Sequence, residues 1–200
     1  MAFILNAEAS IDIPAEKWVL EKDKDNIKVW TRDTETSSFK SFKAITIVNA
    51  SVVQLASVLN DVGAYPEWMA NLESTEILKE ISENECYYYF EVEAPWPVSN
   101  RDNVAHFKLT NNYDTKGFEV TVTGQPDYIP EKQDIVRIPK SIGTWQFTPI
   151  SERETEVVFV YAADPGGKLP AWVINIFIVD GPFKTLSNLK EFVKQEKYQH

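Results

Sequence analysis

The chain has 200 residues, 44% hydrophobic and 25% charged, which suits one folded domain with a sizeable core and excludes wholesale disorder. Thirty acidic against 20 basic side chains leave a formal charge of −10, which argues against a nucleic-acid partner and against electrostatic docking on anionic membranes. A single cysteine, Cys86, excludes an internal disulfide and a thiolate zinc cluster, and His106 and His200 alone cannot build a multi-histidine metal site. The aromatic content is high, with 6 Trp, 8 Tyr and 11 Phe, and that ring volume has to fill a generous core or line a cavity.

No run approaches the roughly 18 apolar residues of a membrane-spanning helix. Phe3-Ile4-Leu5 followed by Ala7-Glu8-Ala9 reads as the end of a signal peptide with its A-x-A cleavage site, lacking the charged region and most of the apolar one. On that reading residues 1–9 are a remnant, the domain spans 10–200, and the chain works in the periplasm or outside the cell. Otherwise it is cytoplasmic. Neither an internal repeat nor a Ser/Gly linker divides the chain.

In chain order, residues 14–22 read as a short helix opened by Pro14, with Trp18 on its buried side. Asn26 marks a turn into a strand over 27–32, and the run 39–48, rich in Phe, Ile, Thr and Val, reads as a second strand. Ser51 suits the N-cap of a helix whose apolar positions Val52, Leu55, Ala56, Leu59 and Val62 share one face. Gly63 and Pro66 interrupt it before one more turn over 67–72.

Antiparallel strands follow. Residues 86–93 set Cys86, Tyr88, Phe90 and Val92 on one face, and 103–109 set Ala105, Phe107 and Leu109 inward. Residues 118–123 alternate Phe118, Val120 and Val122 against Glu119, Thr121 and Thr123. Later strands are 135–138, 142–148 and 156–163. With no βα alternation, the pattern predicts an α+β domain built on one curved antiparallel sheet. The end is helical: Trp172, Ile176, Val179, Phe183, Leu186, Leu189 and Val193 form a long apolar stripe. Pro170 suits its first turn, and Gly181-Pro182 should kink or split it. The concave face of the sheet is the surface able to bury that stripe.

Five stretches in this order are similar to a known family. They are Ile27-Lys28-Val29-Trp30-Thr31-Arg32, Tyr65-Pro66-Glu67-Trp68-Met69, Pro95-Trp96-Pro97-Val98-Ser99-Asn100-Arg101-Asp102, Gly143-Thr144-Trp145-Gln146-Phe147-Thr148-Pro149 and Gly167-Lys168-Leu169-Pro170-Ala171-Trp172. Together they resemble the START domain, the lipid-transfer module related to the steroidogenic acute regulatory protein, in a short, single-domain bacterial-type form. The resemblance implies a helix-grip fold, in which the sheet wraps the C-terminal helix around a lipid-sized cavity. It also implies a gate made of the 124–134 loop and the final helix. Some sterol-binding members carry a basic side chain in the cavity on the strand after the Arg-Asp pair. That position here is Phe107, so no anchor for a sterol hydroxyl is supplied there.

The expected cavity wall is Phe90, Val92, Phe107, Leu109, Val120, Trp145 and Phe147 from the strands, with Trp172, Ile176 and Phe177 from the helix. Periodicity alone fits a packed core as well. Arg101-Asp102 reads as an ion pair, either at the mouth of the site or holding the turn after Pro97. Arg137 is the candidate inward polar anchor, with a solvated strand arginine as the alternative. His106 should point away from the cavity, and Cys86 should be a small buried hydrophobe. From Gly181 onward there are four Lys and two Glu, which either help the helix touch a membrane or complement its dipole.

The sequence thus predicts a monomer that binds a lipid or other apolar small molecule, with transfer of that ligand and transient membrane contact open to it. It predicts no cofactor, metal or catalytic residue, since no nucleophile elbow, phosphate loop or zinc motif is present. Gly166, Gly167, Gly181 and Pro182 are the candidate hinges. The alternative is a polyketide cyclase or aromatase of the wider helix-grip superfamily, which would need polar acid and base groups inside the cavity.

Overall fold

A computed structural model describes residues 18–33 and 40–199. Residues 1–9, expected to be a signal remnant, and Pro14 to Lys17 lie outside the described residues. The chain opens with strands β1 (Val19–Lys24), β2 (Ile27–Asp33) and β3 (Lys40–Val48). β1 corrects the expectation of a helix reaching residue 22. Among the described residues it is an edge strand pairing only with β2, almost wholly exposed and largely charged, so it shows no apolar alternation. Asp25 and Asn26 both hold positive φ in the tight turn that joins the two strands. Trp18 lies under the Arg32 guanidinium and the Lys43 ammonium, 4.8 and 5.1 Å from its ring centre.

Helix α1 (Val52–Asn60) starts at a capping box: Ser51 Oγ accepts from the Gln54 N–H, and the Gln54 side chain accepts from the Ser51 N–H. A 3₁₀ turn leads into α2 (Tyr65–Trp68). The extra turn therefore begins before the predicted 67–72, because Pro66 occupies the first helical turn and opens a helix there. Next comes β4 (Leu72–Ser82), a strand the sequence reading did not contain. It forms the opposite edge of the sheet, and three register shifts against β5 (Glu85–Val92) destroy its period of two.

The remaining strands are β6 (Arg101–Asn112), β7 (Gly117–Gly124), β8 (Val136–Arg137), β9 (Lys140–Ser151) and β10 (Glu154–Asp164). Among the described residues they form one sheet in the order β1-β2-β3-β10-β9-β7-β6-β5-β4, with β8 parallel to the start of β6. All other pairings are antiparallel.

The C-terminal helix comprises α3 (Ala171–Asn175), a π-helical turn over Ile176–Asp180 and α4 (Gly181–Phe192). Gly181-Pro182 does not split it. Pro182 has no N–H to return to the carbonyl four residues earlier, and the Gly181 N–H instead reaches the Ile176 carbonyl five residues back. The expected break is thus absorbed as a π turn within a continuous helix. α4 lies against α2, β2 and β3, while α1 covers β7 and β9. Leu186 and Leu189 are fully buried in one cluster with Leu55, Val58, Trp68 and the inner faces of the strands. Each such side chain contributes about 1.5–3 kcal/mol by leaving water. This is the helix-grip fold.

Candidate functional site

The inner face of the sheet follows from strand alternation. Across β7, β9 and β10, Phe118 is level with Phe147 and Val157, Val120 with Trp145 and Phe159, and Val122 with Gly143 and Tyr161. Toward Gly143 and Ala163 the inward residues become small. Opposite them the helix presents its π turn and the start of α4, and a cavity of about 210 Å³ remains between. Phe42, Tyr88, Phe90, Trp145, Phe159 and Tyr161 line the sheet side; Ile174, Phe177, Ile178, Pro182 and Thr185 line the helix side. Trp145 and Phe159 stack with ring centres 3.7 Å apart, and Phe42 meets Phe159 edge-on at 4.9 Å. Pro165 and Leu169 also line the cavity.

Of the predicted wall, Phe90, Val92, Trp145 and Phe177 line this cavity, and Gly181 and Pro182 stand in its helical side. Phe107, Leu109, Val120 and Phe147 point inward as predicted but belong to the filled core. Phe107, with Cys86, lies instead beside a second depression bordered by Asn60 and Val62. Ile176 is outside the wall, and Trp172 is 50% exposed at the start of α3. Parity identified the inward face; the position of α1 and α4 decided which half of it is filled. Phe42, Tyr88, Phe159 and Tyr161 were missing from the predicted wall, although the same alternation marks them.

Polar groups at the wall are few. The Tyr65 hydroxyl donates to the Leu59 carbonyl at 2.5 Å, and Thr185 Oγ1 accepts from the Ala70 N–H at 3.0 Å. Burial pushes the phenols of Tyr65, Tyr88 and Tyr161 up, and hydrogen bonds with Ser141 and Asn103 partly offset this for Tyr161. These tyrosines stay neutral at any physiological pH. Asn103 Nδ2 donates to Ser141 Oγ at 2.7 Å behind that ring.

The expected Arg101–Asp102 pair does not form, because neighbours on a strand face opposite sides of the sheet. Arg101 faces the cavity. Asp102 faces outward and is held by Arg137, Nε to Oδ1 at 2.7 Å and Nη2 to Oδ2 at 3.1 Å. Arg137 is therefore neither the inward anchor nor a solvated arginine. It is a buried structural cation, raised further above its ordinary pKa by the hydrogen bond to Asp102. It also donates to the carbonyls of Pro126, Ile129 and Pro130. These bonds fasten the 124–134 loop to the outer face, where Tyr128 stacks on Tyr87 at 4.5 Å and Lys132 sits 3.7 Å over Tyr89. Expected as half of a gate, that loop contributes nothing to the cavity wall.

His106 also lies on the outer face, 2.7 Å from Glu85 and stacked on Tyr87. Three of the four C-terminal lysines are engaged within the molecule: Lys190 with the Asp25 carbonyl, Lys194 with Glu191 and Lys197 with Asp61. Gly166 and Gly167, between β10 and Leu169, both hold positive φ, and a Cβ on Gly166 would come within 2.9 Å of Val136. No cluster of three His, Cys, Asp or Glu side chains suited to a metal occurs among the described residues. No helix among them is long and apolar enough to cross a membrane.

A sheet gripping a C-terminal helix, with an apolar cavity between the two, defines a helix-grip cavity protein. The chain belongs to the START domain family, whose model matches residues 6–198. It is 36% identical to a STAR-related lipid transfer protein from Xanthomonas axonopodis, whose solved structure superposes with a TM-score of 0.81 over 90% of this chain and 100% of that one. An uncharacterised protein of Pseudomonas aeruginosa is 32% identical over 177 residues, 88% of this chain and 86% of the relative. The phosphatidylcholine transfer protein of Bos taurus is 27% identical over 168 residues, 79% of this chain and 75% of the relative.

Proposed function

We propose that the chain is a carrier that takes up a lipid or similar apolar molecule in the cavity between sheet and helix and releases it again. The observation carrying this reading is that cavity, walled by aromatic rings and aliphatic side chains on both sides. Relatives named for lipid transfer, over most of the chain's length, support it. The work is physical: each buried CH₂ gains roughly 0.8 kcal/mol, so a chain of modest length is held without a covalent step.

At about 210 Å³ the cavity falls below the roughly 300–1,000 Å³ of typical ligand pockets. A long acyl chain enters only if the lid formed by 165–182 moves outward. Gly166-Gly167 and the π turn before Pro182 bound that lid, and we assign them as its hinges. The cyclase alternative calls for His106, Arg137 and two tyrosine hydroxyls converging in the cavity. Tyr65, Tyr88 and Tyr161 stand in its wall, whereas His106 and Arg137 are engaged with Glu85 and Asp102 on the outer face, which favours the carrier reading.

Native mass spectrometry of the freshly purified chain, with organic extraction, tests the carrier reading. The expected result is a discrete added mass that extracts as a lipid. A bare chain that stays bare after incubation with phospholipids, fatty acids and sterols overturns it.

A further inference from the structure

Arg101 is 5% exposed and stands in the cavity wall. The carboxylate beside it in the chain, Asp102, is taken by Arg137 on the other face. Arg101 is left with carbonyl oxygens alone: Nη1 donates to Ser99, Nε to Pro165 at 3.4 Å and Nη2 to Gly166 at 3.5 Å. Among the described residues no carboxylate lies within ion-pair distance of it. A guanidinium carries five N–H donors, so two have no acceptor and two of the three bonds made are long. A buried cation without an anion is costly. Burial alone already presses the Arg101 pKa down. The missing partner is a pair of anionic oxygens, which a guanidinium fork meets two at a time.

We propose that the ligand is an amphiphile with an anionic head, a carboxylate or a phosphate ester, whose oxygens dock on Arg101 while its chain lies along Phe90, Trp145 and Phe159. The inference rests on the carrier reading and names the ligand class. The head replaces the two long bonds to Pro165 and Gly166. Because those carbonyls belong to the loop that closes the cavity, binding the head loosens the lid end of the site and leaves the outer-face pair untouched.

The test titrates the purified chain with oleate, 1-oleoyl lysophosphatidate, oleyl alcohol and inorganic phosphate, read by tryptophan fluorescence and calorimetry. At least one anionic amphiphile is expected to bind about tenfold or more tighter than the alcohol of the same chain. The tighter of the two distinguishes carboxylate from phosphate. Arg101→Gln is expected to abolish the preference and keep alcohol binding, and Arg101→Lys to restore part of it. Equal binding of oleate, lysophosphatidate and oleyl alcohol by the wild-type chain overturns the proposal without recourse to any variant. So does a preference that survives in Arg101→Gln. Inorganic phosphate binding as tightly as lysophosphatidate overturns the lipid head as its source. Binding of none of the three amphiphiles overturns the carrier reading itself, a separate outcome.

Discussion

Arg137 and Asp102 form a two-point ion pair on the outer face of the sheet, with side chains 3% and 1% exposed. The pair joins the start of β6 to the loop that crosses it, and the same guanidinium gathers three carbonyls of that loop. Removing one partner leaves an uncompensated buried charge. Asp102→Ala is expected to cost about 3–5 kcal/mol in urea unfolding and to expose the amides of 125–135 to hydrogen exchange. A loss under about 1 kcal/mol would mean that the carbonyls alone hold Arg137.

The cavity depends on small residues as much as on rings. A Cβ added at Gly143 would sit 2.6 Å from the Tyr161 ring. Gly143→Ala is expected to displace that ring, cost about 1–3 kcal/mol and reduce ligand occupancy in native mass spectra. Unchanged occupancy together with unchanged stability would show that Tyr161 has room to give.

Pro182→Ala supplies the N–H that the π turn lacks and lets ordinary helical bonding run through Ile176–Asp180. One added backbone bond in the closed lid is worth about 1 kcal/mol, so ligand exchange is expected to slow about fivefold while equilibrium affinity changes little. Stopped-flow transfer of a fluorescent fatty acid to vesicles measures both. Equal exchange rates in the two proteins sink the hinge assignment.

Asp61 anchors the C-terminal turn, accepting from the Tyr198 hydroxyl at 2.7 Å and the Lys197 ammonium at 2.9 Å. Burial pushes its carboxyl up, but the bonds from Lys197 and Tyr198 outweigh that and hold it below the ordinary carboxylate value. A folded pKa below the unfolded one gives stability that is present above the unfolded value and lost as pH falls through the folded one. The anchor is therefore expected to weaken below about pH 4. Because its groups are exposed to solvent and salt, the anchor contributes little to global stability and is read locally. Amide exchange at 193–199 measured between pH 3 and 6 should show the loss in the wild-type chain and a flat profile in Asp61→Asn.

What the sequence revealed tracks the regularity of each element. The central strands were legible because one face is buried and the other is not, as in Phe118 to Thr123. Both edge strands were missed: β1 is charged and exposed, and β4 is interrupted by register shifts, so neither carries a period of two. Arg101 and Asp102 were paired because they are adjacent in the chain, and the pleat separates them. Trp145 and Phe147 show the remaining limit, since they share a strand and a face, yet one lines the cavity and the other is packed core.

The sequence by itself determined the antiparallel sheet, the amphipathic last helix and the family, because alternation, helical spacing and local motifs are properties of short stretches. Only the tertiary structure decided where the inward face is hollow and which of the two buried arginines, Arg101 and Arg137, has a carboxylate partner among the described residues. Those depend on where α1 and α4 come to rest and on a contact between residues 35 apart, Asp102 and Arg137. Packing and register across a sheet set both.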